Sequence, residues 1–380
     1  MEKILTSSVE GTANNFDIDL INPQDLILTK KHIWVTSLTN SLLIQYTRSG
    51  QLVSKITVQS PTGMALGKSY HWKSNSRCGN KNDSKRDRCC KTKILYIASR
   101  GGIVYAYELG SSTPPVIFIT ASGALHGVAW LKGKLYVTAY DSGYVGVYNA
   151  KHHFQLMNNM TPQMMSQISP INNNIYQNLP MNNMSQVPLM NNMSQVPLMN
   201  NMSQVPLMNN MSQVPLINNM SQVISQVPPM NNTNLELQLT DTALFRLNYR
   251  PSGIRAIGGN IYVTFSNGST RQGFGYVNVY EPSCDTSCST FLNLISRSTL
   301  AMPYGLARRD DELLVGNSGS GKVTIFSFNG EFRRPITTHE NGIIINDGIM
   351  GLQYCSETQR LYFVAANEGG LSGSLGYITI

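Results

Sequence analysis

Short runs of alternating apolar and polar residues recur along this chain, each bounded by glycine, asparagine, aspartate or serine. One copy joins Leu135–Thr138 to the run Gly143–Tyr148 across a short turn. With small variations the same phrase occurs six times: a Pro/Gly turn, a Leu/Ile-Tyr/Trp-Val run, a Gly-rich turn and a second alternating run. β-Branched and aromatic residues in this arrangement predict antiparallel β-strands.

A single repeat of this kind cannot bury both faces of its sheet. Packing six repeats around a central channel buries them and leaves only short sheet edges. The sequence therefore predicts an all-β fold, a six-bladed β-propeller. Because the sixth copy reaches Ile380 directly after its third strand, we expect Glu2–Ser7 to supply the missing fourth strand.

Two insertions interrupt this plan, so the propeller is assigned to residues 1–151 and 236–380. The first, 69–92, is a basic loop that contains cysteines. The second, 152–235, holds four perfect copies of a nine-residue unit of the type Met181–Leu189. A proline in every unit, with no glycine and no charge, excludes a long regular helix. We expect an unstructured or polyproline-like tract whose removal the propeller tolerates; the alternative is an Asn/Gln/Met-rich assembly segment.

The net charge of +8 is concentrated in one place. Nine basic residues against two aspartates between Lys68 and Lys93 account for +7 of it. This distribution excludes a basic face extending over the whole domain. Nucleic-acid binding is expected only through this loop, with the candidate residues Lys81, Lys85, Arg86 and Arg88.

Apolar segments long enough for targeting or membrane insertion are absent from the sequence. The first residues lack the apolar stretch of about 7 to 15 residues that a secretory signal needs. No run approaches the roughly 20 apolar residues of a membrane span. We expect synthesis in the cytoplasm and no membrane partner.

Several phrases resemble a known family. Leu20–Pro23 resembles its opening "Leu-Val-Asn-Pro-Trp-Gly", Leu314–Gly321 resembles its "LLVGNFGDG" strand and turn, and Asp347–Gly376 resembles its "DGLWGL…LYFTAG…GLFG" ending. The family comprises NHL-repeat-like propellers, mostly bacterial and uncharacterised, so the resemblance implies the fold rather than an activity. The asparagine-rich sequence with expanded repeats also resembles proteins of giant DNA viruses of amoebae, which implies a virion component.

Six-bladed propellers similar to this one include calcium-dependent lactonases and a zinc-dependent lyase. Their chemistry would require ligands around the channel, where five copies align at a glycine and the first has Asp25 in its place. The positions before that glycine provide neither three carboxylates or amides for Ca²⁺ nor three His or Cys for Zn²⁺: Gln24, Thr62, His126, Ser252, Tyr304 and Met350.

Two channel hypotheses stay open at this point. His126 is either a hydrogen-bonded residue of the inner strand or a ligand or base. A Ca²⁺ site is conceivable from Asn22, Asp25, Asn317 and Asp347. The leading interpretation is a non-enzymatic scaffold that binds a protein partner and has no resident cofactor; the alternative is a lactonase-type hydrolase or lyase with a channel metal.

Overall fold

The computed structural model describes residues 2–69, 92–150, 235–282, 291–296, 299–336 and 348–380. These residues form six sheets, antiparallel except for one short parallel pair at an edge, which confirms the predicted six-bladed β-propeller. Two short strands, β1 (Glu2–Ser7) and β2 (Asn15–Phe16), precede the first blade. The first three blades are blade 1, β3 (Pro23–Leu28), β4 (His32–Ser37), β5 (Leu42–Thr47) and β6 (Leu52–Thr57); blade 2, β7 (Pro61–Ser69), β8 (Thr92–Ser99), β9 (Ile103–Glu108) and β10 (Val116–Thr120); and blade 3, β11 (Leu125–Leu131), β12 (Lys134–Ala139), β13 (Tyr144–Asn149) and β14 (Leu235–Leu239).

A short helix, α1 (Thr242–Arg246), leads into the second half of the ring, and the side chain of Asp241 caps it by accepting a hydrogen bond from the Leu244 N–H. The remaining strands are blade 4, β15 (Arg250–Ile257), β16 (Asn260–Ser266), β17 (Gly275–Tyr280) and β18 (Leu292–Ser296); blade 5, β19 (Pro303–Arg309), β20 (Glu312–Asn317), β21 (Lys322–Ser327) and β22 (Phe332–Pro335); and blade 6, β23 (Ile349–Cys355), β24 (Arg360–Asn367) and β25 (Ser372–Thr379), with a 3-10 turn at Glu368–Gly370.

The first strand of each blade is the inner strand, and the six inner strands form a closed ring. Each contacts the next in the order β3, β7, β11, β15, β19 and β23, and β23 contacts β3 again. Strand β1 pairs antiparallel with β25, from Glu2 opposite Ile378 to Ser7 opposite Ser374. The outer part of blade 6 is therefore built by the first residues of the chain, with β2 added in parallel at its edge.

The second strand of each blade is buried on both faces, which explains its continuous apolar sequence. In β4, Ile33 and Val35 pack in a core cluster with blade 6, while Trp34 packs in a cluster with blade 2. All three side chains are less than 5% exposed. Since successive residues of a strand point to opposite faces, the central aromatic residue contacts one neighbouring blade and its aliphatic neighbours contact the other.

Both insertions lie outside the described residues apart from their ends. Ser69 is the last residue of β7, Thr92 is the first of β8, and Leu235 begins β14. These three residues, assigned to insertions from the sequence, thus belong to strands of the propeller. Among the helices in the described part of the chain, none is long and apolar enough to cross a membrane.

Candidate binding site at the mouth of the channel

All six inner strands begin at the same end of the channel, which we call the mouth. Every inner strand has a β-bulge near its start, as between Pro23 and Leu26 or between Pro251 and Ile254. A bulge interrupts the ladder and leaves backbone groups without a partner in the neighbouring strand. Hydroxyl groups take their place: the Thr36 Oγ1 accepts from the Asp25 N–H at 3.0 Å.

Two of the residues that directly precede the aligned glycine, Thr62 and Ser252, have hydroxyl groups that join neighbouring blades. The Thr62 Oγ1 donates to the Leu125 carbonyl at 2.9 Å, and the Ser252 Oγ donates to the Pro303 carbonyl at 3.0 Å. Both residues are buried. Buried hydroxyls bonded in this way serve the fold rather than a ligand.

Asp25 stands where the other five blades have glycine, and its carboxylate is held from three sides. It accepts from the Leu26 N–H and from the Met64 N–H of blade 2, both at 2.8 Å. The Arg255 guanidinium lies 3.5 Å from its Oδ1. Burial raises the pKa of Asp25 above its ordinary value, although Arg255 and the two backbone N–H groups oppose the rise.

The side chain of Arg255 crosses the channel to reach Asp25. It starts on β15 of blade 4 and donates to the carbonyl of Leu306 in blade 5 at 3.3 Å and to that of Leu352 in blade 6 at 2.8 Å. Its ion pair with Asp25 then ends on blade 1, opposite its origin. One guanidinium therefore links four blades inside the channel.

Aromatic side chains lie at the mouth beside this ion pair. The Tyr304 hydroxyl of blade 5 donates to the His126 carbonyl of blade 3 at 2.8 Å. The His126 ring stacks on Tyr140, with ring centroids 4.2 Å apart and planes 9° apart, and lies 6.3 Å from the Tyr304 ring. Burial, assisted by the charge of Arg100 and opposed by Asp141, lowers the pKa of His126 to about 4. The imidazole is thus neutral at pH 7.

Arg100 is the exposed cation of this cluster. It follows β8 in the loop of blade 2 that ends at the mouth, and its N–H donates to the Ser60 carbonyl at 3.0 Å. It is close enough to lower the pKa of His126 and to oppose the burial that raises the pKa of Tyr304. Asp141, also exposed, accepts from the Ala124 N–H at 3.0 Å.

The other candidates from the sequence either form hydrogen bonds of their own or lie outside the described residues. The Asn22 Oδ1 accepts from Gln24 at 2.7 Å. Asn317 is fully buried at the end of β20; its Oδ1 accepts from the Ala301 N–H, and its Nδ2 donates to two carbonyls and to Thr324. Its amide is thus committed to blade 5. Asp347 and the basic-loop residues Lys81, Lys85, Arg86 and Arg88 lie outside the described residues.

The structure brings Asp25 and His126 to one end of the channel but surrounds them with residues that the sequence reasoning did not select. Arg255 could have been found from the repeat alignment, because it is the only charged residue at the position two residues after the aligned glycine. The six residues at that position are Ile27, Ala65, Ala129, Arg255, Ala307 and Gln353. Arg100 and Tyr140 lie in loops and carry no periodic signal. Within the described ranges, no three His, Cys, Asp or Glu side chains are grouped as a metal site would need.

Comparison with known proteins finds viral relatives. No family model matches the chain. An uncharacterized protein of Acanthamoeba polyphaga mimivirus, L690, is 30% identical over 148 residues, which cover 34% of this chain and 38% of the relative. A second uncharacterized mimivirus protein, R648, is 26% identical over 149 residues, 35% of this chain and 36% of the relative. The chain thus spans less than two fifths of these relatives.

Proposed function

We propose that this chain is a non-enzymatic scaffold that binds another protein at the mouth of its channel. The observation that supports this most is the Arg255 side chain, which crosses from blade 4 to Asp25 of blade 1. The Asp25 carboxylate is bound by Arg255 and by backbone N–H groups. The Thr62 and Ser252 hydroxyls are hydrogen-bonded to the neighbouring blades. A partner would then meet the surface around the mouth rather than enter the channel.

Photo-crosslinking tests this function. A benzoylphenylalanine at Tyr140 places the reactive group at the mouth, and the same residue at Lys30, in the exposed β3–β4 turn, places it at the opposite end of the ring. In extracts of the organism that encodes the chain, we expect a discrete cross-linked protein from position 140 and none from position 30. Equal labelling from both positions, or none from either, would contradict a binding surface at the mouth.

The same preparation separates the scaffold from the enzyme alternative. Lactone hydrolysis by the purified chain that is lost in Asp25→Asn would support a lactonase-type activity of the channel. No hydrolysis by either form, together with cross-linking at the mouth, is the outcome that the scaffold proposal expects.

For the setting of this scaffold we propose a virion. The two relatives are proteins of a giant virus of amoebae, and the resemblance to NHL-repeat-like propellers is compatible with a structural role. The test is quantitative mass spectrometry of purified particles and of the infected-cell extract left after their removal. Enrichment in the particles is expected, and confinement to the extract would overturn the virion assignment.

A further inference from the structure

Arg100 is a cation that the propeller itself does not neutralise. Its side chain is exposed, and within the described residues it forms no ion pair. The backbone of Arg100 is fixed through the Ser60 carbonyl, so the loop holds its position at the mouth. An exposed guanidinium on a fixed loop presents a fork of N–H donors that matches a carboxylate.

The surface next to Arg100 is aromatic and rigid. His126 and Tyr140 stack in parallel at 4.2 Å, and Tyr304 is tied to the His126 backbone. Aromatic side chains lose little conformational entropy on binding and are frequent in the energetic centres of protein interfaces.

Charge balance at the mouth decides which anion fits. Arg255 and Asp25 neutralise each other, and the charged groups that act on the His126 ring are then Arg100, which is positive, and Asp141, which is negative. Asp141 is held by the Ala124 N–H and would repel a compact doubly charged group such as a phosphate more strongly than a singly charged carboxylate. A single carboxylate can pair with Arg100 while the attached chain packs on the aromatic rings.

We propose that the mouth recognises an acidic side chain of a protein partner, with Arg100 binding its carboxylate and with His126, Tyr140 and Tyr304 supporting the adjoining chain. This inference rests on the proposed scaffold function and adds the chemistry of the partner. The partner is thus a protein that exposes a glutamate or aspartate on a protruding segment.

The test follows the histidine signals of the full chain during titration with a capped octaglutamate peptide. The six histidines are labelled with ¹³C, and the His126 signal is assigned by its loss in His126→Gln. His71 lies in the basic insertion, so its signal reports binding there. We expect octaglutamate to shift the His126 signal, and the matched octaglutamine peptide to leave it unchanged.

Two arginine variants identify the residue responsible. Arg100→Gln should weaken the titration of the His126 signal about tenfold, as expected for loss of a charge-assisted hydrogen bond. Arg271→Gln removes an equally exposed charge from the β16–β17 loop at the same end of the ring and should leave the titration unchanged. Equal weakening in both variants would mean general attraction to a basic chain and would overturn the inference.

Other outcomes also discriminate. Movement of the His71 signal alone would place the peptide on the insertion. A shift produced by free glutarate but not by octaglutamate would assign the mouth to a small metabolite. Either result overturns the inference. If cross-linking from position 140 is undiminished in Arg100→Gln, the result still supports the scaffold function but contradicts recognition of an acidic side chain by Arg100.

Discussion

At the scale of single residues, the ring of glycines at the start of the inner strands sets how closely the blades approach. A Cβ at Gly253 would overlap the Tyr304 carbonyl oxygen, and a Cβ at Gly351 would lie 2.8 Å from the Asp25 Cα. Both contacts are with backbone of the next blade, which cannot move without shifting a whole strand. These glycines are therefore required by the ring and not by a turn.

We expect Gly253→Ala to lower the free energy of unfolding by about 3 kcal/mol, because the added methyl group overpacks a blade interface. Urea denaturation followed by circular dichroism measures the change. Gly101→Ala is the matched control: its Cβ would meet nothing closer than 3.5 Å, and the change should stay within about 0.5 kcal/mol. Equal losses in the two variants would show that the close approach at Gly253 is not what limits stability.

The residues of the site were predictable only in part. Asp25 and His126 stood out because they occupy aligned positions of the repeat. Arg255 is 230 residues from Asp25 along the chain, and ring closure alone brings them together. Asn317 shows the opposite case, because an amide at a strand end suggests a ligand until its four hydrogen bonds within blade 5 are known.

At the scale of elements, strands buried on both faces were the most predictable, since their apolar runs repeat in every blade. Strand β1 was expected to pair with the last strand, because the sixth copy lacks one, and the structure has this pairing. The two-residue β2 and the five-residue α1 carry no such pattern. Both depend on contacts with distant residues, such as the 2.7 Å bond from Asn15 to the Leu5 carbonyl and that from Asn278 to Asp241.

Strand β1 should make stability depend on pH through Glu2. Glu2 lies on the same face of β1 as Ile4, which packs against the blade 5 and blade 6 core, and burial raises the pKa of Glu2 to about 7. The folded chain therefore favours the protonated carboxyl. Its stabilising effect is complete below the ordinary pKa of 4.5 and is lost as the pH rises through about 7.

The difference in unfolding free energy between wild type and Glu2→Gln, measured at pH 5 and pH 8, isolates this effect. Wild type should lose stability relative to the variant as the pH rises. Lys3→Gln, on the exposed opposite face of β1, should track wild type at both values. A constant difference between wild type and Glu2→Gln would show that the carboxyl is not desolvated in the folded chain.

At the scale of the whole molecule, the segment 151–234 joins two strands that are already neighbours. Strands β13 and β14 are antiparallel, with Tyr148 opposite Leu235 and Val145 opposite Leu239. Lys134 and Glu236 add an ion pair at 2.8 Å across the same blade. The ends of the segment thus leave blade 3 from adjacent positions, which a short turn can connect.

We therefore expect that replacing residues 151–234 by Gly-Asn-Gly-Ser preserves the propeller. Closing a loop of four residues costs less entropy than closing one of 84, a difference on the order of 3 kcal/mol, so the free energy of unfolding should stay equal or rise. Coincident urea transitions in far-ultraviolet circular dichroism and tyrosine fluorescence would demonstrate one cooperative unit.

A scrambled segment of the original length should match wild type, because composition and length are kept. If the short loop instead costs more than about 1 kcal/mol while the scrambled segment does not, segment length itself is needed to form blade 3, and the repeats cannot be a dispensable insertion.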